Sequence, residues 1–250
     1  MKPLTHIDDV ISVLDEIILE SSAKNSTMGY FAVLYQKVTI KVKEKITAGF
    51  FDDGPRMEKL DVLFAKRYID AYYDYKNQKP ATQSWEIAFN EAGNSNLLVV
   101  QHLLLGMNAH INLDLGIAAA EISGADNIKD LEADFIRINE ILASMVDEVQ
   151  HGISSIWPFL RKILRLLNKV DNYIIDWSMK IARKGAWKYA QKMAIANSTN
   201  WLEEIAARDQ KVAAKTKIII QPGKWILFLF WIIRVSERGS IADKIAKLKQ

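Results

Sequence analysis

The chain contains no cysteine. Disulfides, zinc–thiolate sites, iron–sulfur clusters and a cysteine nucleophile are therefore excluded, and the absence suits a reducing compartment. Proline and glycine are scarce, at five and eleven in 250 residues, which argues against a fold of many short strands and turns. The signatures G-x-G-x-x-G, the P-loop, G-x-S-x-G and H-E-x-x-H are all missing. No stretch of interleaved basic and aromatic residues marks a nucleic-acid surface, so no nucleic acid is expected as a partner. The opening MKPLTHIDDV carries Asp8 and Asp9 and no long apolar segment, unlike a signal peptide. No uninterrupted apolar run reaches the roughly 18 residues of a membrane span. A cytoplasmic location is the expectation.

What is present favours helix. Half of the residues are hydrophobic, and Ala, Leu, Ile, Lys and Glu recur among good helix formers. Apolar residues return every three or four positions, as in Ile7, Val10, Ile11, Leu14, Ile17 and Ile18. Thr5 is placed to cap that first helix near Asp8. Breaks fall at Ser21–Thr27, Gly49–Pro55, Pro80, Gly93–Ser95, Gly124–Asn127, Asn197–Asn200, Pro222–Gly223 and Gly239–Ser240. Further helices are expected from Ile128 to about His151, from Pro158 to near Asn168, and from Asp171 to Ala196. The result is an all-α, single-domain multi-helix bundle over residues 1–250, with about ten helices and a buried central helix near 96–122.

That central helix, QHLLLGMNAHINLDLGIAAAE from Gln101 to Glu121, carries the chemistry. A helix apolar on every side is buried, and buried polar groups need partners. With 100° per residue, His110 and Asp114 share one face, with Gly106 and Glu121 near it. Asn108 and Asn112 point elsewhere, and His102 lies too far round to join His110 on one metal. H-x-x-x-D on a face suits a metal pair, or a histidine oriented by a carboxylate as general base. The competing explanation is a hydrogen-bond network that fixes helix packing. Arg67, amid apolar residues on another helix, needs a carboxylate or an anion, and Asp114, Asp147 and Glu148 are the candidate carboxylates. Glu148-x-x-His151 supplies half of a dicarboxylate metal signature. The candidate catalytic set is His110, Asp114, Arg67, Asn108 and Asn112. The candidate metal set is His110, Asp114, Glu148 and Asp147, and such ligands suit iron, manganese, zinc or magnesium.

Two weaker patterns complete the reading. Asp52–Asp53, with Asn139, Ala143 and Asp147 at four-residue intervals, partly matches the diphosphate-binding motifs of terpene synthases. Charge is uneven: residues 180–250 hold 15 Lys/Arg against 5 Asp/Glu. A basic end of this kind either packs near the acidic half of the chain or meets an anionic partner such as a membrane surface. The last apolar stretch, KWILFLFWIIRVSER, has apolar residues on all sides, so a core helix is favoured over a membrane-interface helix. A small-molecule ligand is expected, and oligomeric state is left open.

The strings GYFAVLYQKVT (Gly29–Thr39), FDDGPRMEKLDVLFAKRYIDAY (Phe51–Tyr72), QHLLLGMNAHINLDLGIA (Gln101–Ala118), ADFIRINEIL (Ala133–Leu142) and DEVQ (Asp147–Gln150) resemble an uncharacterised bacterial all-helical family, a domain of unknown function. The resemblance runs from about Gly29 to beyond Trp187. It implies an all-helical single domain and assigns no activity.

Overall fold

Most breaks read from Gly and Pro separate helices, and the one at Gly124–Asn127 is a kink within a helix. The computed structural model describes residues 3–145, 179–196 and 200–250, and no strand occurs among them. Asp147, Glu148, His151, Pro158–Asn168 and Trp177 lie outside the described residues. In chain order the helices are α1 (Ile7–Ala23), α2 (Met28–Thr47), α3 (Gly54–Lys76), α4 (Gln83–Asn90), α5 (Val99–Ala109), α6 (Leu115–Asn127) and α7 (Glu132–Ser144). They continue with α8 (Met179–Ile195), α9 (Trp201–Ile220), α10 (Lys224–Ser236) and α11 (Ile241–Lys249).

The helix starts are set by local polar chemistry. Before α1, the Asp9 carboxylate accepts from the backbone N–H groups of Thr5 and His6 and from the Thr5 hydroxyl, so Asp9 caps where the sequence pointed to Thr5. Asp53 caps α3 by accepting from the Arg56 amide, and Pro55 occupies the first turn, where its missing N–H costs nothing. Ser240 and Asp243 cap α11 reciprocally. The central helix begins at Val99, where the Gln101 side chain accepts from the Leu98 amide. It kinks at Gly124, inside α6, where a φ of +61° suits glycine.

Val99–Gly124 is long and apolar enough, by composition, to cross a bilayer, although polar residues interrupt every run of it. Here it is buried among other helices. Its first half belongs to an apolar cluster built from α1 to α5, which also takes in Ile233, Ile245 and Leu248 from the C-terminal helices. Its second half belongs to another cluster, with Met57 and Leu60 of α3 and the inner faces of α7 and α8. Ala109 closes the first cluster and Leu113 opens the second. Between them, His110–Asp114 forms a π-helical turn, with the Leu115 amide reaching back to the His110 carbonyl. The extra residue in that turn lets the helix change packing partners without ending.

The sequence placed the KWILFLFWIIRVSER stretch in the core. The structure corrects this. Among the described side chains of α10 only Ile233 is buried, while Trp225, Phe228, Trp231 and Val235 are exposed. One face of α10 finds the first cluster through Phe230 and Ile233, and the opposite apolar face is exposed.

Candidate functional site

The π turn carries the candidate site. Asp114 is buried to 1% exposure and spends both oxygens on donors from three helices. Its Oδ1 accepts from Arg67 Nε of α3 at 3.0 Å. Its Oδ2 accepts from Trp85 Nε1 of α4 at 2.8 Å and lies 3.2 Å from His110 Nδ1. The Arg67 guanidinium makes Asp114 the carboxylate of a buried charge pair, and a carboxylate can only accept. His110 Nδ1 therefore carries the proton, and Nε2 carries a lone pair. That Nε2 is buried and has no hydrogen-bond partner among the described residues.

Aromatic rings enclose the imidazole. Phe64 of α3 lies flat on it, with centroids 3.6 Å apart and planes at 7°. Tyr35 of α2 meets it edge-on at 4.4 Å. Phe31, Tyr68 and Trp85 stand at 5.7, 6.1 and 6.0 Å. Burial holds the His110 pKa below its ordinary value, and the Asp114 hydrogen bond offsets only part of that. The ring is thus a neutral base at pH 7. Gly106, one turn earlier, leaves room for Phe31, since a Cβ there would come within 2.5 Å of its ring.

Sequence reasoning missed the polar groups that flank this cage. Phe31, Tyr35 and Thr39 follow one face of α2, and Asp61, Phe64 and Tyr68 one face of α3, at helical spacing. The Tyr35, Thr39 and Tyr68 hydroxyls and Asp61 Oδ2 are all buried without a hydrogen bond of good geometry among the described residues. Burial, with Glu58 adding its charge, pushes the Asp61 carboxyl up to about 7. Burial also drives the Tyr35 phenol well above its usual range, with Asp61 adding to this and the nearby Thr39 hydroxyl opposing it. One signal was available: an Asp on a helix face that otherwise reads Met57, Leu60, Phe64 and Tyr68. A cavity of about 20 Å³, bounded by Phe31, Tyr68, Trp85, His102 and Gly106, shares three walls with the His110 cage. That is room for one water.

The two asparagines face α9 instead. Asn112 Nδ2 donates to Asn108 Oδ1, Asn108 Nδ2 donates to the Val212 carbonyl, and Lys215 Nζ reaches Asn112 Oδ1. Arg208 Nε donates to the Asn112 carbonyl inside the π turn. His102 sits apart beside Tyr30, and burial lowers its pKa to about 4. Glu121 is exposed. His110, Asp114 and Arg67 therefore converge on one centre, while Asn108 and Asn112 converge on another.

The paired aspartates act as structure. Asp134 of α7 accepts from the backbone amides of Asp52 and Asp53, both at 2.9 Å. Asp52 pairs with Arg137, and Asp53 caps α3 beside Arg56 and Lys59 in a surface cleft. In the same manner Asp209 of α9 accepts from the amides of Gln83 and Ser84 and holds the start of α4, the helix that presents Trp85. Among the described residues, no three His, Asp or Glu side chains gather as a metal site.

Residues 7–222, which include this whole centre, match the profile of a family of unknown function, DUF5995. The chain belongs to the DUF5995 family. The matched region stops just before α10 and α11. No curated protein and no solved structure matches the chain.

Proposed function

We propose that this DUF5995 protein binds a small, largely apolar molecule bearing one acidic proton, and that Nε2 of His110 accepts that proton. One observation carries the reading. The imidazole is pinned through Nδ1 by a carboxylate that Arg67 and Trp85 hold in place, yet its other nitrogen is buried and unpartnered among the described residues. Leaving a buried acceptor unmade costs about 1–3 kcal/mol. A purely structural histidine gains nothing from that cost, whereas a base poised for a ligand needs it. Asp61, one helical turn before Phe64 on α3, has its carboxyl pushed up to about 7 by burial, so near neutral pH it holds its proton about half of the time. Phe64 is partly buried and covers the imidazole face, so its side chain is the gate in this reading.

The test is ¹⁵N NMR of histidine-labelled protein at pH 7, titrated with a panel of small phenols, alcohols and carboxylic acids. The His110 signals report the neutral Nδ1–H tautomer, and at least one compound moves the Nε2 resonance saturably. Phe64→Ala tightens or speeds this binding, and His110→Phe abolishes it with the fold retained. A protonated Nε2, or a panel that leaves that resonance unmoved even in Phe64→Ala, would overturn the proposal.

A second reading shares the observation. A carboxylate that orients Nδ1 is also the usual support of a metal-binding imidazole. Asp114 would then be the orienting group and His110 the ligand, with Asp147 and Glu148 as the remaining donors. Elemental analysis of the isolated protein checks it: stoichiometric metal that His110→Ala releases favours a metal at Nε2.

A further inference from the structure

We propose that α10 is a membrane-interface helix that docks the protein on an anionic lipid surface. Trp225, Leu227, Phe228, Trp231, Ile232 and Val235 fall within roughly 160° of the helix circumference, and all six are exposed. Trp225 shows 84% of its surface, Phe228 54%, Trp231 63% and Val235 72%. The Phe228 and Trp231 rings lie together, with centroids 6.2 Å apart. A single exposed leucine needs no explanation, but a contiguous aromatic face on a helix marks a surface made to be covered. The helix is already secured from behind. Ile233 and Phe230 enter the core, Arg234 Nε donates to the Ser95 carbonyl, and Glu237 joins Arg234, Lys244 and the Val99 amide. The outward face is thus presented away from the core.

Charge selects the occupant. From Lys211 to Gln250 there are nine Lys/Arg against two Asp/Glu. Lys224 sits on the apolar stripe itself, with Lys217 before it and Arg238 after it. All three are exposed, and none is ion-paired among the described residues. Tryptophan at both Trp225 and Trp231 suits the headgroup boundary, where an apolar ring and a polar N–H are both accommodated, and cations suit anionic headgroups. A protein partner of matching acidity would need an apolar groove as well. A bilayer supplies both properties over any length of helix.

The experiment uses the full chain and vesicles of phosphatidylcholine, with or without about 30% phosphatidylglycerol, at low salt. Co-sedimentation and tryptophan fluorescence are read for wild type, Trp225→Ser/Trp231→Ser and Lys217→Glu/Lys224→Glu. The expected result is binding to the anionic vesicles with a blue-shifted emission. Each double variant weakens that binding about tenfold or more, while circular dichroism melts stay within a few degrees of wild type. Failure of the wild-type chain to bind anionic vesicles overturns the proposal, as does equal binding by Trp225→Ser/Trp231→Ser. A dimer that this variant dissociates, with no vesicle binding, assigns the face to a second copy. A large loss of melting temperature in the variant assigns it to the chain's own packing. Each of those last two results also overturns the proposal. None of them bears on His110, whose NMR test is read separately.

Discussion

Two polar pairs with the same four-residue spacing sit on one buried helix and end differently. Asn108 and Asn112 bond each other and pass their remaining capacity to Val212 and Lys215, while Arg208 takes the carbonyl that the π turn exposes. His110 and Asp114 also bond each other, and Asp114 is saturated by Arg67 and Trp85, yet His110 stops one bond short. The first pair docks α9 on the central helix. The second holds a lone pair in an aromatic cage beside Tyr35 and Tyr68, whose hydroxyls make no hydrogen bond of good geometry among the described residues. Identical spacing on the chain therefore separates into a finished joint and an unfinished one, because the two faces meet different helices.

The comparison breaks first at Asp114. Asp114→Ala strands the Arg67 cation and the Trp85 indole N–H in the core, and urea unfolding should show a loss of about 3–5 kcal/mol. A loss under 1 kcal/mol would mean that the three donors find water instead.

Asp61 sharpens it next. Its folded pKa of about 7 lies above the ordinary 3.8, so the native state holds its proton more tightly than the unfolded chain. Its contribution is fully present below pH 3.8 and is lost as pH rises to about 7. His110 and His102, both with lowered pKa values, act in the opposite sense, costing stability as pH falls below their ordinary 6.5. Asp61→Asn isolates the first effect. Measured against wild type by urea unfolding, the variant should gain of the order of 3 kcal/mol between pH 4 and pH 8. A difference that stays flat with pH would place Asp61 in contact with solvent or with a cation.

The smallest effect belongs to the finished pair. Asn108→Ala removes one bond to a backbone carbonyl and leaves Asn112 with one fewer partner, a loss of about 1–3 kcal/mol. It should leave the His110 Nε2 resonance where it was. Movement of that resonance would show that the two faces are coupled through the π turn.

Much of the helical layout was legible from a few residues. Gly49–Pro55, Gly93–Ser95, Pro222–Gly223 and Gly239–Ser240 fall between helices because their backbones break or cap them. The polar residues of the central helix stood out because burial makes any such group conspicuous. Their partners were harder to find. Trp85, Phe64 and Tyr35 read as ordinary apolar stripe members, and Asp61 as a stray charge, since nothing local says which helix faces which. Asp134 and Asp209 clamp backbone amides that are 82 and 126 residues away in the chain, a relation no motif records. The C-terminal aromatic run was read as core because its composition is that of core. Only packing shows that one apolar face of α10 is exposed.

Composition and periodicity, then, were enough to make this chain a set of helices: few breakers, abundant helix formers and a regular apolar stripe decide local backbone geometry through short-range sterics and burial. Tertiary structure alone decided that Arg67 and Trp85 would meet Asp114, that His110 would be left with a free nitrogen, and that α10 would keep a bare apolar face. Those outcomes depend on long-range contacts, where a side chain's energy is set by whatever arrives opposite it and not by its neighbours in sequence.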